Sequence, residues 1–237
     1  YNGPGIAASA LCMNKYKTNN FLKAQGFEVP LNRLVSKEEW LINKKEILKN
    51  LNEQFSFPLI IKPPDDGCST GVSKIETKKE LETTLTMLFK TIETVLIEEC
   101  VTGMELTGAV VGNENPQALP PSQALCTGSI LSIEEKFLPG AGENQTPAPL
   151  AEKALRLVQQ TLENVYKAVG CSGYSRIDCF YQTAKCSPTK KERVVILEIN
   201  TLPGLTPATC IFHQAAEIDI KPMDFIDLIV SFGLQKK

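Results

Sequence analysis

The chain has 237 residues, a formal net charge of -2 and 43% hydrophobic residues. A chain of this length can bury a substantial core and exceeds the usual size of a single domain, so we expect one compact unit made of two closely packed subdomains. Because 25 basic residues are balanced by 27 acidic ones, no strong positive field attracts a phosphate backbone, and we expect no nucleic-acid partner.

The apolar and cysteine patterns argue against two further classes. No apolar run reaches the roughly 20 residues that span a bilayer, and the first residues lack the basic and apolar regions of a signal peptide, so we expect no membrane partner. The 8 cysteines include no CxxC pair, and the single histidine, His213, is too little to complete a zinc site. We therefore expect reduced and mostly buried thiols, as in a cytoplasmic protein.

The first half of the chain predicts alternating helices and strands. Asn14 is a suitable helix N-cap, and Ser36 with Glu39 and Thr77 with Glu80 have the spacing of capping boxes. We predict a helix after each of these three positions, the first ending near residue 26 and the last near residue 90. Apolar segments of strand length predict strands at 29–35, 57–62, 95–98 and 105–111.

The second half contains one strongly amphipathic helix and a hairpin. Residues 116–123 are rich in turn formers, residues 129–135 predict a strand, and a loop dense in Gly and Pro follows them. Apolar spacing predicts helices at 151–169 and 225–232. Residues 174–181 and 194–199 predict two strands joined by a polar turn, which is typical of an antiparallel hairpin. The predicted class is α+β with mainly antiparallel sheets.

Four polar residues lie on the two hairpin strands, two residues apart on each. Because side chains alternate between the faces of a strand, Arg176 and Asp178 share one face, as do Glu198 and Asn200. Their convergence would offer the hard oxygen ligands that Mg²⁺ accepts alongside substrate phosphates. A surface network of Arg and carboxylates is the alternative, and the spacing alone does not separate the two.

Two loops are candidates for binding an anionic ligand. The segment TLPGLTP after the second hairpin strand predicts a tight turn that exposes backbone amides beside the acidic face. The loop after Lys62 contains Gly67, Ser69 and Gly71, which can bring N–H and hydroxyl groups close to phosphate oxygens, although an ordinary surface turn has the same composition. No GxxxxGK[ST] or GxGxxG motif occurs, and no GxSxG motif accompanies His213.

Several charged residues lie at the ends of predicted elements. Lys15, Lys62 and Lys136 lie at a helix start, a strand end and a loop start, where a cation can meet a phosphate. Glu98 and Glu105 flank a turn and could accept hydrogen bonds from an adenosine. Solvent exposure is the alternative for each of them except Lys62, since an apolar strand rarely ends in a charge without a partner.

Five segments, taken in order, resemble the signature segments of the D-alanine–D-alanine ligases of the ATP-grasp superfamily. They are YNGPGIAASALCMNKYKT, FPLIIKPPDDGCSTGVSKI, VLIEECVTGMELTGAVVG, GYSRIDCFY and LEINTLPGLT. Their order and spacing match over nearly the whole chain, without a counterpart of the family's N-terminal domain. The resemblance implies an ATP-grasp fold in which residues 14–102 form the central nucleotide-binding subdomain and residues 1–13 and 103–237 form the C-terminal catalytic subdomain.

The resemblance also implies an activity and a set of nucleotide contacts. The family transfers the terminal phosphoryl group of ATP to one amino acid's carboxylate, and the amine of a second amino acid attacks the acyl phosphate to give a dipeptide. The nucleotide positions implied here are Lys15 and Lys62 at the phosphates, Glu98 at the adenine, Glu105 at the ribose, Gly67, Cys68 and Ser69 in the phosphate-covering loop, and Lys136 in the mobile loop that closes over the triphosphate.

The remaining implied roles concern metal and substrate. Asp178, Glu198 and Asn200 would hold two Mg²⁺ ions, with Mn²⁺ as the alternative metal. Arg176 would stabilise the oxyanion of the tetrahedral intermediate, with Lys136 and Ser69 as further catalytic groups, and Arg176, Gly204 and Thr209 would lie near the substrate. The substrates implied are small amino acids, D-alanine first among them.

Three positions depart from the family pattern. Cys68 and Thr209 replace residues that are usually Ser, and Phe137 replaces the Tyr that usually follows the loop lysine. The first and third of these changes favour the alternative of a catalytically altered or inactive ATP-binding half of a duplicated ligase. A ligase of the biotin-carboxylase or glutathione-synthetase type would share the metal face but predict other loops. The family role implies peptidoglycan synthesis in the cytoplasm, or in the plastid stroma of a plant, and a homodimer or a fused second ligase unit as partner.

Overall fold

Two antiparallel sheets organise the computed structural model, which describes residues 1–65, 71–125, 143–206 and 209–235. The smaller sheet has four strands in the order β1-β4-β2-β3. Its strands are β1 (Asn32–Ser36), β2 (Leu59–Lys62), β3 (Ser73–Ile75) and β4 (Thr94–Glu99). Two helices, α3 (Lys37–Gln54) and α4 (Lys78–Leu88), cover one face.

Both helices of the smaller sheet begin at the caps that the sequence predicts. The Ser36 hydroxyl accepts from the Glu39 N–H at 3.1 Å, and the Thr77 hydroxyl accepts from the Glu80 N–H at 3.2 Å. Each cap satisfies an N–H that the first helical turn leaves without a partner. The core between sheet and helices contains Trp40, which is 3% exposed.

The larger sheet carries the predicted hairpin at one edge. Its described strands run in the order β10-β9-β5-β7-β8, and β6 pairs with β5. They are β5 (Met104–Gly112), β6 (Gln117–Ala118), β7 (Ser122–Leu125), β8 (Glu143–Gln145), β9 (Gly173–Gln182) and β10 (Arg193–Asn200). The hairpin of β9 and β10 is antiparallel, as predicted, and β5 pairs along its whole length with β9.

Each face of the larger sheet is covered differently. Helices α1 (Ile6–Cys12), α2 (Lys15–Ala24) and α5 (Glu152–Val169) bury one face in a continuous apolar cluster. Helices α6 (Cys210–Ala216) and α7 (Pro222–Leu234) cover only part of the other face, at Ala109, Val111 and Tyr174. The part of that face that these two helices leave uncovered carries the polar residues of the hairpin.

Several sequence predictions needed correction. Residues 116–123 are not only turns, because β6 and the start of β7 lie there. The sequence also missed four short elements, α1, β3, β8 and α6. The strand predicted at 129–135 lies outside the described residues. No described helix is both long and apolar enough to cross a bilayer.

Helix α2 packs with the larger sheet. Leu22 is fully buried in the apolar cluster of that sheet, with Phe21 against it. The sequence assigned residues 14–102 to the central subdomain, and that division remains a proposal. The first helix of that range, α2, contributes apolar side chains to the core of the larger sheet.

Close packing between α5 and β5 predicts a specific stability effect. A Cβ added to Gly108 would overlap the Leu162 Cδ1 atom, and Leu162 is fully buried. We expect Gly108→Ala to lower the free energy of unfolding by about 1–3 kcal/mol, because the core must shift to admit the methyl group. Urea denaturation measures this change in the free energy of unfolding.

In Gly108→Ala/Leu162→Ala the methyl group enters the space that Leu162 leaves. The double variant should therefore lose less free energy of unfolding than the sum of the two single losses. Additivity within about 0.5 kcal/mol would contradict the steric explanation.

Candidate active site

A β-bulge brings the four hairpin residues to one face. Asp178 lies opposite Glu198 and Arg176 lies opposite Asn200, whereas the pairing further along joins Cys179 to Ile196. Leu197 is therefore an extra residue in β10. Without it, Glu198 would point to the opposite face of the sheet, since a shift of one residue reverses the side chains of a strand.

The carboxylate of Asp178 is the centre of this group. Arg176 donates to it from Nε and Nη2, each at 3.0 Å, and the Thr107 hydroxyl donates to Oδ1 at 2.7 Å. The Asn200 Nδ2 approaches Oδ2 at 3.4 Å, and the Arg176 Nη2 lies 4.0 Å from the Glu198 Oε1. These side chains converge because the bulge places both pairs on one face of the sheet. The Arg–carboxylate network that the sequence left open is present within the group.

The charges of the group depend on one another. Burial raises the pKa of the Asp178 carboxyl above its ordinary value, the charge of Arg176 opposes that rise, and the charge of Glu198 adds to it. The charge of Asp178 raises the pKa of the Arg176 guanidinium in turn. A carboxylate in this position gains from any cation that approaches it, because burial penalises its charged form.

Helix α2 brings a second cation to the same place. The Lys15 Nζ lies 3.4 Å from the Glu198 Oε2, and the Lys15 backbone N–H donates to the Pro64 carbonyl at 2.7 Å. Pro64 follows β2 of the smaller sheet. The first residue of α2 therefore joins the acidic face of the larger sheet to the segment that leaves the smaller one.

A buried ion pair on the smaller sheet contacts α2 one helical turn after Lys15. The Lys62 Nζ lies 2.6 Å from the Glu98 Oε2, and Glu98 is 2% exposed. The Asn19 Nδ2 donates to the Glu98 Oε1 at 3.0 Å. Lys62 lies on β2 and Glu98 on β4. Asn19 follows Lys15 by four residues, so Asn19 and Lys15 lie on the same face of α2. Lys62, the charged residue that ends an apolar strand, therefore has a buried partner in Glu98, as its position in the sequence suggested.

The remaining described candidates lie on β5, in the segment that follows β10, and on α6. Glu105 lies two residues before Thr107 on β5, opposite Phe180. We call residues 201–206 the post-strand turn, since they follow β10. A Cβ on Gly204 would lie 3.6 Å from the Thr209 Cγ2, so these two residues are neighbours. His213 is exposed on α6, beside an apolar cavity of ≈ 410 Å³.

Some candidates fall outside the described residues. They are Gly67, Cys68, Ser69, Lys136 and Phe137. The strands β7 and β8, which pair with each other, flank the segment that contains Lys136. The roles implied for these five positions remain expectations.

The sequence overlooked three polar residues that the structure places in this region. Thr107 donates to Asp178, Asn19 donates to Glu98, and Gln214 is completely buried against β5. Thr107 and Asn19 could have been predicted as neighbours of the site. Thr107 follows Glu105 by two residues on a strand, and Asn19 follows Lys15 by four residues on a helix, so each shares a face with a candidate residue. A single Gln in a short amphipathic helix gives no such signal.

The donor atoms of the acidic face suit a hard divalent cation. Asp178 and Glu198 offer carboxylate oxygens and Asn200 an amide oxygen, a set of the kind that Mg²⁺ uses with one or two carboxylates and the phosphates of a substrate. No cluster of three or more His, Cys, Asp or Glu residues that could hold a metal occurs in the described parts of the chain. A metal here would therefore depend on Asn200 and on a bound phosphate for its remaining ligands.

Comparison with protein families gives one match that covers most of the chain. Residues 21–231 match the family model described as D-ala D-ala ligase C-terminus. A D-alanine–D-alanine ligase of Carboxydothermus hydrogenoformans is 30% identical over 236 residues, which cover 99% of this chain and 73% of that protein. One from Halalkalibacterium halodurans is 31% identical, with 100% of this chain and 74% of that protein covered.

Solved structures give the same picture of the fold. The VanG D-Ala:D-Ser ligase from Enterococcus faecalis superposes with a TM-score of 0.82 at 26% identity, over 97% of this chain and 64% of that one. A D-alanine–D-alanine ligase from Bacillus anthracis, complexed with ATP, gives a TM-score of 0.76 over 99% of this chain and 70% of that one, at 24% identity. The chain thus spans less than two thirds of the Enterococcus ligase, and it has the ATP-grasp fold expected from its sequence.

Proposed function

Because the chain belongs to the D-alanine–D-alanine ligase family, we propose that it is the nucleotide-binding and catalytic part of an ATP-dependent ligase that joins two small amino acids through a C–N bond. The proposed route uses an acyl-phosphate intermediate. One observation carries the proposal: Arg176, Asp178, Glu198 and Asn200 share one face of the larger sheet, and Lys15 reaches the same face from α2.

We propose that Asp178, Glu198 and Asn200 hold Mg²⁺, with Mn²⁺ as the alternative and two ions as the expected number. When bound, the metal would neutralise charge on the transferred phosphoryl group. The oxygen donors of these three side chains, gathered on one face of the sheet, support this assignment. Arg176 occupies both Asp178 oxygens in the described arrangement, so the proposal requires the guanidinium to turn towards substrate when a nucleotide is bound.

The protein's own cations perform the remaining electrostatic work in this proposal. Lys15 and Lys62 contact the nucleotide phosphates, and Lys136 joins them from its loop. Arg176, once turned towards the substrate, stabilises the oxyanion that forms when the amine attacks the acyl phosphate, because its positive charge offsets the negative charge that develops there. Glu98 and Glu105 accept hydrogen bonds from adenine and ribose, while Gly67, Cys68 and Ser69 cover the phosphates and exclude water that would hydrolyse the intermediate.

The proposed first substrate is D-alanine. The second lies near Gly204 and Thr209, which are in van der Waals range of each other. Relatives of the chain include proteins named D-Ala–D-Ala and D-Ala:D-Ser ligases, so D-alanine and D-serine are the two acceptors to compare. The alternative of an inactive ATP-binding half is not favoured by these relatives, whose names are those of ligases.

Phosphate release by the full-length protein tests this function. We expect phosphate and a dipeptide in equal amounts from ATP, Mg²⁺ and D-alanine, with D-serine as the competing acceptor and L-alanine as the negative control. Oxygen-18 in the donor carboxylate should appear in the phosphate, because the acyl phosphate contains that oxygen. EDTA should abolish the reaction and excess Mg²⁺ should restore it. Absence of phosphate release with every D- and L-amino acid pair would refute the proposal.

The proposed setting follows from the same family membership. Dipeptide synthesis of this type serves peptidoglycan precursors, and we propose the cytoplasm, or a plastid stroma, as its compartment. A homodimer or a fused second ligase unit is the proposed assembly. Size-exclusion chromatography with light scattering on the full-length protein distinguishes these assemblies from a monomer.

A further inference from the structure

Gln214 on α6 makes an unusual set of contacts for a helix side chain. It is 0% exposed. Its Oε1 accepts from the Ala109 backbone N–H at 2.8 Å, and its Nε2 donates to the Thr107 carbonyl at 2.8 Å. The Nε2 also donates to the Ser122 hydroxyl at 2.9 Å. Both amide hydrogens and the amide oxygen are therefore used, as a buried carboxamide requires.

These contacts replace a missing piece of the sheet. On the outer edge of β5, Val110 and Val111 pair with β6, and Leu106 and Thr107 pair with β7. The segment between β6 and β7 contains Pro120 and Pro121, which have no N–H to donate to β5. The carboxamide of Gln214 offers one donor and one acceptor to residues 107 and 109, as a peptide group of a neighbouring strand would.

The same contacts connect three parts of the candidate active site. Thr107, whose carbonyl Gln214 holds, donates its hydroxyl to Asp178. Helix α6 begins immediately after Thr209, so Gln214 also fixes the helix that follows the post-strand turn. Ser122 is hydrogen-bonded to Thr146 at 2.7 Å, which ties the start of β7 to the residue that follows β8.

We propose that Gln214 is a positioning residue, which holds α6 and the post-strand turn at a fixed distance from Asp178 and so sets how well the second amino acid is held. The inference rests on the proposed function, which places that amino acid near Gly204 and Thr209. It concerns the acceptor site first, because Gln214 joins residues 107 and 109 of β5 to the helix that follows the post-strand turn.

Gln214→Met in the full-length protein separates the hydrogen bonds from the packing, since methionine has a similar length and shape but none of the three bonds. The matched control is Gln159→Met. Gln159 lies on α5, and its Nε2 donates to the Ala118 carbonyl of β6 at 3.0 Å. Gln159 therefore binds the same sheet from the opposite face, and its loss leaves α6 untouched.

Hydrogen exchange and kinetics give two independent measurements. In Gln214→Met, peptides covering residues 201–216 and 105–111 should exchange about tenfold faster, because two buried backbone groups lose their partners and α6 opens more often. At saturating ATP, the KM for the acceptor amino acid should rise by about tenfold while the KM for ATP changes by less than about threefold. A purely structural loss would lower the amount of active enzyme without this selective change in KM.

The outcomes are separable. Equal exchange of residues 201–216 in wild type and Gln214→Met would overturn the inference, as would an equal rise in both KM values. If the wild-type protein forms no dipeptide, the proposed function fails, and the exchange data alone decide whether Gln214 holds α6 and the turn. Gln159→Met should accelerate exchange only in peptides around residues 117–118 and 152–169 and leave both KM values unchanged.

Discussion

Arg176→Met should reduce kcat of the full-length protein by about 10²–10³-fold while the protein remains folded, because the variant loses the fixed charge proposed to meet the developing oxyanion. The KM for ATP should change little, since Arg176 acts on the reacting carbonyl in this proposal and not on the base or ribose. Steady-state phosphate release at saturating ATP and D-alanine measures the loss. Arg176→Lys should recover only part of it, because an ammonium lacks the planar fork that holds Asp178.

Arg193→Met is the control for this prediction. Arg193 lies on the same hairpin and is also paired with polar groups, its Nε donating to Gln182 at 2.7 Å and its Nη1 to Glu28 at 3.0 Å. It lies at the opposite end of β10 from Asn200. Arg193→Met removes an arginine from the same sheet but far from the acidic face, so kcat should stay within about threefold of wild type. Equal losses in Arg176→Met and Arg193→Met would show that only the hairpin's integrity matters.

Lys62→Met should lower the free energy of unfolding by about 3–5 kcal/mol, since it leaves the Glu98 carboxylate buried without its cation. The side chains of Lys62 and Glu98 are 11% and 3% exposed, and among the described residues the Asn19 amide is the partner that remains, on the other Glu98 oxygen. Urea denaturation of the nucleotide-free protein measures the loss. Lys62→Met/Glu98→Gln should recover part of the stability, because the uncompensated charge is then absent.

Lys37→Met provides the exposed counterpart of that experiment. Lys37 and Glu93 form an ion pair at 3.1 Å beside the same sheet, but Glu93 is 79% exposed. Water screens this pair, so its loss should cost less than about 1 kcal/mol. If Lys62→Met and Lys37→Met had the same effect, burial would not be what makes the Lys62–Glu98 pair important.

The candidate site was predictable where its geometry is local. Residues two apart on a strand share a face whatever the rest of the chain does, so Arg176 with Asp178 and Glu198 with Asn200 could be paired from the sequence. Their meeting across the hairpin could not be derived in the same way, because it depends on Leu197 being the extra residue of a bulge. A bulge is decided by what both faces of the sheet pack against, which no short segment encodes.

The packing of α2 shows the same limit. Asn14 predicts the start of this helix, and its side chain accepts from the Lys17 N–H at 3.0 Å as a cap should. The helix pattern does not say which sheet Leu22 packs against, and the structure buries it with the larger sheet. Only that packing brings Lys15 to Glu198 and Asn19 to Glu98.

The sequence by itself determined the helix caps, the strand hairpin, the α+β class and the residue types of the acidic face, because each follows from hydrogen bonds or alternation within a few residues. The tertiary structure decided the register of β10 against β9, the partner of Lys62, and the use of Gln214 in place of a strand. Those features join residues far apart in the chain, and their free energy exists only once two sheets and their helices have packed together.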